Sequence, residues 1–143
     1  MSTHDDEIIS RMLNQCHVIA VVGLSANPER DSYQVARYLQ NDGYRIVPVN
    51  PTYAGHMILG ELCHASLQGA ADQLALDGQH IDMVDCFRRS EAMLAVASDA
   101  IDIGARCLWM QLGVVNEAAA IKARAAGLAV VMDRCTKIEL AYR

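Results

Sequence analysis

Five short apolar runs recur along the chain, separated by longer stretches in which apolar positions return at helical spacing. The runs are His17–Gly23, Arg45–Val49, Ile81–Phe87, Ala105–Met110 and Leu128–Met132. The first reads HVIAVVG, continuous and β-branched, as expected of a strand buried on both faces of a parallel sheet. Between the runs lie helices with readable ends. Ser32 is expected to cap a helix whose Val35, Ala36 and Leu39 face the sheet, with Gly43 ending it. Ser90 is expected to cap a second helix through Asp102, closed by Gly104, and Asn116 a third over Glu117–Ala126, closed by Gly127. A further helix, roughly Asp5–Asn14, should pack outside, and Leu62–Gln79 reads as an alanine-rich helix followed by a Gly-containing loop. Cap, helix, glycine and apolar strand thus repeat three times, which is the grammar of βαβ units. The expected fold class is α/β: a single Rossmann-like doubly wound domain over residues 1–143, with about five parallel strands flanked by helices.

Composition narrows the function more than the fold. At 143 residues the chain suits one compact domain of ~100–150 residues, and 52% apolar with 20% charged residues excludes a disordered chain. No apolar run approaches the ~20 residues of a membrane span, and the polar start MSTHDDE does not read as a signal peptide. A net charge of -5 argues against nucleic acid or an anionic membrane as partner, so any bound anion must be held by a local device. The five cysteines are odd in number, scattered and without a C-x-x-C pair, which fits neither a secreted disulfide framework nor a metal site. A cytoplasmic location is expected. Cys16, Cys86 and Cys107 lie in or beside apolar runs and read as buried, whereas Cys135, in the polar stretch Asp133–Lys137, could be exposed beside cations that favour its thiolate.

In open α/β sheets ligands sit outside the carboxyl ends of the strands, so the residues following each run are the candidates. After the first come Gly23, Leu24 and Ser25, then Arg30 and Ser32. A glycine there permits a tight turn and close anion approach, the next helix offers free N–H groups, the serines add hydroxyls and Arg30 a cation. Gly23 could also merely turn the chain, and Arg30 could be solvated. Neither G-x-G-x-x-G nor G-x-x-x-x-G-K-[ST] is present, and no acid follows strand two to hold a ribose. Val49, Asn50 and Pro51 end that strand, either exposing main-chain edges that can read a base or forming a rigid exit turn. Phe87, Arg88 and Arg89 end strand three, where adjacent cations favour a polyanion unless they are simply solvated. Met110, Gln111 and Leu112 end strand four beside Trp109, which reads as core or rim. The histidines stand singly and no nucleophile elbow is present; no catalytic or metal residue is assigned.

These segments together resemble a known family. VVGLSANPERDSYQVARYLQ, GYRIVPVNP, ILGE, VDCFRRSE, AIDIGARCLWMQLGVVNEAAA and AGLAVVMDRCTKIE are similar to the small bacterial and archaeal CoA-binding proteins of the YccU type, from about His17 to Glu139. That family in turn resembles the CoA-binding domain of the succinyl-CoA synthetase alpha subunit, a Rossmann-like fold. The resemblance implies coenzyme A or an acyl-CoA as ligand. It implies phosphates at the loop from Gly23 through Ser25 to Arg30, an adenine side at Val49-Asn50-Pro51, a groove continuing past Phe87-Arg88 and closure by Met110-Gln111-Leu112. The synthetase loop carries more glycines, and its lysine after the strand-two turn is replaced near Tyr53, which leaves Arg30, Arg88 or Arg89 to meet the 3′-phosphate. The synthetase's phosphorylated histidine lies in a second domain without a counterpart before Arg143, so ligase activity is not expected. Two other classes stay open: an NAD(P)-dependent oxidoreductase, and an interaction module lending a nucleotide-type fold to a partner enzyme. A homo-oligomer is equally compatible with the sequence.

Overall fold

The computed structural model describes residues 4–143, so Met1-Ser2-Thr3 of the polar start lie outside the described residues. In chain order the elements are α1 (His4–Gln15), β1 (Val18–Val22), α2 (Asp31–Asn41), β2 (Arg45–Val49), a short hairpin of β3 (Met57–Ile58) and β4 (Glu61–Leu62), and α3 (Leu67–Ala75). They continue with β5 (Met83–Cys86), α4 (Met93–Asp102), β6 (Cys107–Met110), α5 (Glu117–Ala125), β7 (Ala129–Val131) and α6 (Thr136–Ala141). The five apolar runs form one parallel sheet in the order β2-β1-β5-β6-β7. The chain runs outward from β1 to β2, then returns to place β5 on the other flank of β1. That reversal is the switch point at which doubly wound sheets open a crevice.

Period-two alternation divides the sheet's side chains between two cores. Ile19, Val21, Ile46, Met83, Cys107, Trp109 and Val131 meet α1 and α2 through Ile9, Met12, Leu13, Val35, Ala36 and Leu39. Ala20, Val22, Val47, Val84, Leu108 and Val130 meet α3, α4 and α5 on the other face. The α4–α5 side is rich in buried alanines, Ala97, Ala100, Ala119, Ala120 and Ala123, beside Met93 and Val96, which lets the helices lie close. Trp109 belongs to the core, fully buried, and its indole N–H donates to the Arg134 carbonyl at 2.8 Å. Pro48 sits on the edge strand β2, where its missing N–H costs no ladder bond. On that open side His64 N–H donates to the Pro48 carbonyl and Asn50 N–H to the His64 carbonyl, extending the edge by one bridge.

Helix ends follow the sequence in part. Asn116 caps α5, its side chain accepting from Ala119 N–H at 2.9 Å, and Gly43, Gly104 and Gly127 end α2, α4 and α5 in left-handed conformations. Ser32 is not a cap. Arg30 takes the cap position with extended backbone and no side-chain bond, while Ser32 lies one residue inside α2 and accepts from Ser25 N–H at 3.0 Å. Ser90 does not cap either; it opens a 3₁₀ turn over Ser90–Ala92 ahead of α4, and its hydroxyl accepts from Val115 N–H across the loop. In both cases the hydroxyl finds a main-chain partner in a neighbouring loop rather than in its own helix. Among the described residues no helix is long and apolar enough to cross a membrane.

Candidate functional site

Gly23 ends β1 with φ +88, a left-handed conformation natural only to glycine. A Cβ there would lie 3.0 Å from the Phe87 carbonyl carbon, closer still to its oxygen, and 3.2 Å from Arg88 Cδ. The exits of β1 and β5 therefore press together at the switch point, braced by Gly23 N–H to the Val49 carbonyl and Phe87 N–H to the Val22 carbonyl, both 2.8 Å. Beyond Gly23 the loop is self-supporting. Ser25 Oγ accepts from Asn27 N–H, Asn27 Oδ1 from Glu29 N–H and the Asn27 carbonyl from Arg30 N–H, each at 3.0 Å. These amides hold the loop's shape. The donors left for a ligand are the serine hydroxyl protons, the Arg30 guanidinium and the first N–H groups of α2, since Gln34 N–H is the first to reach a partner, the Arg30 carbonyl.

Asn50 braces the other wall. Its Nδ2 donates to the Leu24 carbonyl at 3.1 Å and its Oδ1 accepts from Thr52 N–H at 3.0 Å, capping a 3₁₀ turn that starts at Pro51. Gly23, Ser25, Arg30, Ser32, Asn50 and Phe87 surround a cavity of about 690 Å³. A second cavity of about 600 Å³ is walled by Arg88, Arg89, Gln111, Leu112, Val114 and Ile138. Phe87 and Asp31 line both, so the two form one groove across the carboxyl ends of β1, β5 and β6. Arg30, Arg88, Arg89 and Lys137 line it against only Glu29 and Asp31, an electropositive strip in a chain of net charge -5. The two halves differ in character. The first is polar and the second mainly apolar, with Leu112 and Ile138 exposed at its rim.

The groove brings together most residues singled out from the sequence, though not all by their side chains. Leu24, Val49 and Met110 point into the core and can offer a ligand only their main chain. Pro51 is exposed on the turn beyond the cavity wall. Sequence reasoning missed Gln34, Lys137 and Ile138, although the loop after β7 also lies at a strand's carboxyl end and was open to the same rule. Cys135 departs from expectation: it is only 8% exposed, packed with Leu24, Val35 and Trp109 in the core while bordering the groove. Thr136 and Gln111 anchor the turn around it through bonds to the interior, which carries Cys135 inward.

The interior also holds a carboxylate that no motif announced. Asp85, in the middle of β5, is fully buried and accepts from Gln111 Nε2 at 2.5 Å and from the Thr136 hydroxyl at 3.1 Å. Burial pushes its carboxyl up to about 7, against the pull of those two bonds and a main-chain bond from Cys86. The one sequence signal was an Asp flanked on both sides by apolar residues, Val84-Asp85-Cys86.

Comparison with known proteins bears on the family and the fold. The uncharacterized protein YneT of Bacillus subtilis (strain 168) is 40% identical over 130 residues, 91% of this chain and 90% of YneT. A hypothetical protein from Pyrococcus horikoshii OT3 superposes with a TM-score of 0.84 at 35% identity, covering 99% of this chain and 96% of its own. Cell-free ID.343 from Thermus thermophilus gives 0.83 at 31% identity over 96% and 97%. The CoA binding domain family matches residues 17–141, a span that holds the whole sheet and both halves of the groove. This chain belongs to the CoA binding domain family.

Proposed function

We propose that the protein binds coenzyme A, free or as an acyl-CoA, along the groove at the carboxyl end of its sheet, as one binding domain. The observation that carries this is the pairing of a polar cavity and an apolar one through Phe87 and Asp31, lined by four cations against two carboxylates. Coenzyme A has the same division: a highly charged nucleotide at one end, a neutral arm at the other. Ser25, Arg30, Ser32 and the first turn of α2 would hold the diphosphate at a helix N-terminus. Arg88, Arg89 and Lys137 remain for the 3′-phosphate, and Val35, Leu112, Val114 and Ile138 offer apolar surface for the arm and any acyl chain. Bound there, the coenzyme supplies a thiol that carries acyl groups as thioesters. The five free cysteines suit the reducing cytoplasm, where we place the protein.

Thermal unfolding with coenzyme A, acetyl-CoA, NAD, NADP and ATP, backed by calorimetric titration, tests the reading. A ligand bound only by the native state adds ~2.7 kcal/mol at a hundredfold excess over its Kd. Both CoA species should raise the midpoint. A rise with NADP alone would reject the proposal in favour of a dehydrogenase, and no rise with any ligand would point to a partner-binding module.

A further inference from the structure

Asp85 in β5, Gln111 just past β6 and Thr136 at the start of α6 come from three distant parts of the chain and close one hydrogen-bonded ring. Gln111 Nε2 donates to Asp85 Oδ1 at 2.5 Å and to Thr136 Oγ1 at 2.9 Å, and the Thr136 hydroxyl donates to Asp85 Oδ2 at 3.1 Å. Both amide protons of Gln111 are thereby committed. While Asp85 is ionised, exchanging the nitrogen and oxygen of Gln111 would set Oε1 against a carboxylate oxygen, so the ring fixes which way the amide faces.

The opposite end of that amide has no such partner. Gln111 is 4% exposed and lines the apolar half of the groove, yet no described residue donates to its Oε1. Nor is Oε1 sealed off: among the described residues the only enclosed side-chain polar atom lacking a partner is Arg45 Nε. The oriented carbonyl thus keeps some exposure, on a residue that lines the mainly apolar cavity together with Phe87, Leu112 and Val114. An amide N–H entering such a cavity loses its water and binds poorly unless an acceptor waits there. The arm of coenzyme A carries two secondary amides.

Resting on the coenzyme A reading above, we propose that Gln111 is the specificity-determining acceptor of the groove. Its Oε1 receives an amide N–H of the pantetheine arm, and Asp85 and Thr136 are the positioning residues that hold it so oriented. The test is titration of the full chain with coenzyme A and with adenosine 3′,5′-bisphosphate, which shares the nucleotide end but has no pantetheine amide. Gln111→Met should weaken coenzyme A roughly tenfold and Thr136→Val roughly threefold, while Thr136→Ser restores the wild-type value. Affinity for the bisphosphate should stay within about twofold throughout. Should Gln111→Met fail to fold, the Thr136 pair, Val nearly isosteric and Ser one methyl smaller, still decides. Equal losses for both ligands, or an unchanged coenzyme A affinity, would overturn the assignment. Wild-type protein that binds the bisphosphate as tightly as coenzyme A would overturn it while sparing the nucleotide site. Affinity for neither ligand would remove the coenzyme A reading and this assignment together.

Discussion

Replacing Gly23 with alanine imposes two separable costs. An L-residue at φ +88 pays the left-handed penalty of ~1–2 kcal/mol, which any glycine with such a φ shares. The second cost is local to this position: the new Cβ falls within 3.0 Å of a main-chain carbonyl oxygen, Phe87 O, which cannot swing aside as a flexible side chain would. Forcing the exits of β1 and β5 apart adds ~1–3 kcal/mol, as overpacking typically does. Together these amount to ~2–5 kcal/mol. For a chain of 143 residues the unfolding entropy is ~0.3 kcal/mol per degree, so the midpoint should fall by roughly 7–17 °C. Gly43 provides the control, because its φ is +102 but a Cβ there would meet nothing within 4 Å. Gly43→Ala should lose only the first cost, roughly 3–7 °C. Calorimetry on the two variants separates conformation from collision. If Gly23→Ala unfolds no lower than Gly43→Ala, the exits of β1 and β5 are not pressed together, and the geometry assigned to the switch point is wrong. Because Phe87 lines both halves of the groove, Gly23→Ala should also bind coenzyme A more weakly than Gly43→Ala, compared where both are folded.

Three further outcomes follow from the same geometry. Arg30→Ala and Arg88→Ala should each weaken coenzyme A by ~1–3 kcal/mol in calorimetric titration, with little change in midpoint because both side chains are exposed; unchanged affinity in both would reject the placement of the phosphates. Asn116→Ala should cost ~1 kcal/mol or slightly more in urea unfolding, since the side chain caps α5 and its Nδ2 also donates to the Ser90 carbonyl at 2.9 Å. Asp85 gives a pH dependence of definite sign. Its carboxyl is raised from 3.8 to about 7, so the folded chain holds the proton more tightly; the contribution is complete below the unfolded value and is lost as pH rises through the folded one. The stability of wild type minus that of Asp85→Asn should therefore fall from about pH 4 to about pH 8 in urea unfolding, and a flat difference would show that burial does not raise this group.

What the sequence made legible was whatever repeats with a period. Ile19, Val21, Ala20 and Val22 announce a strand buried on both faces because their β-branched run leaves no polar side, and the five such runs locate the whole sheet. The hairpin of Met57–Ile58 and Glu61–Leu62 escaped because two-residue strands are too short to show alternation. Ser32 and Ser90 misled for a different reason: a hydroxyl beside a helix can cap it or tie down a loop, and only the path of the distant loop decides.

The site divides along the same line. Gly23, Ser25, Arg30 and Arg88 were legible because a rule of topology, that ligands gather at strand carboxyl ends, turns a linear position into a spatial one. Leu24, Val49 and Met110 satisfied that rule too, yet alternation along a strand turns every second side chain away from a given face, and at a fully covered sheet both directions are core. The ring of Asp85, Gln111 and Thr136 was illegible as a unit, since its members lie 25 to 51 residues apart and meet only through the β5–β6 register and the return of α6. A lone Asp in an apolar strand was nonetheless a signal: a carboxylate there is untenable without donors, so the chain had to deliver two from elsewhere. Of the two that deliver them, Thr136 also helps hold the other, Gln111, where it lines the groove. The cost of burying Asp85 and the shape of the site are therefore one feature of the fold, which is why a stability measurement across pH and a binding measurement with a truncated ligand interrogate the same three side chains.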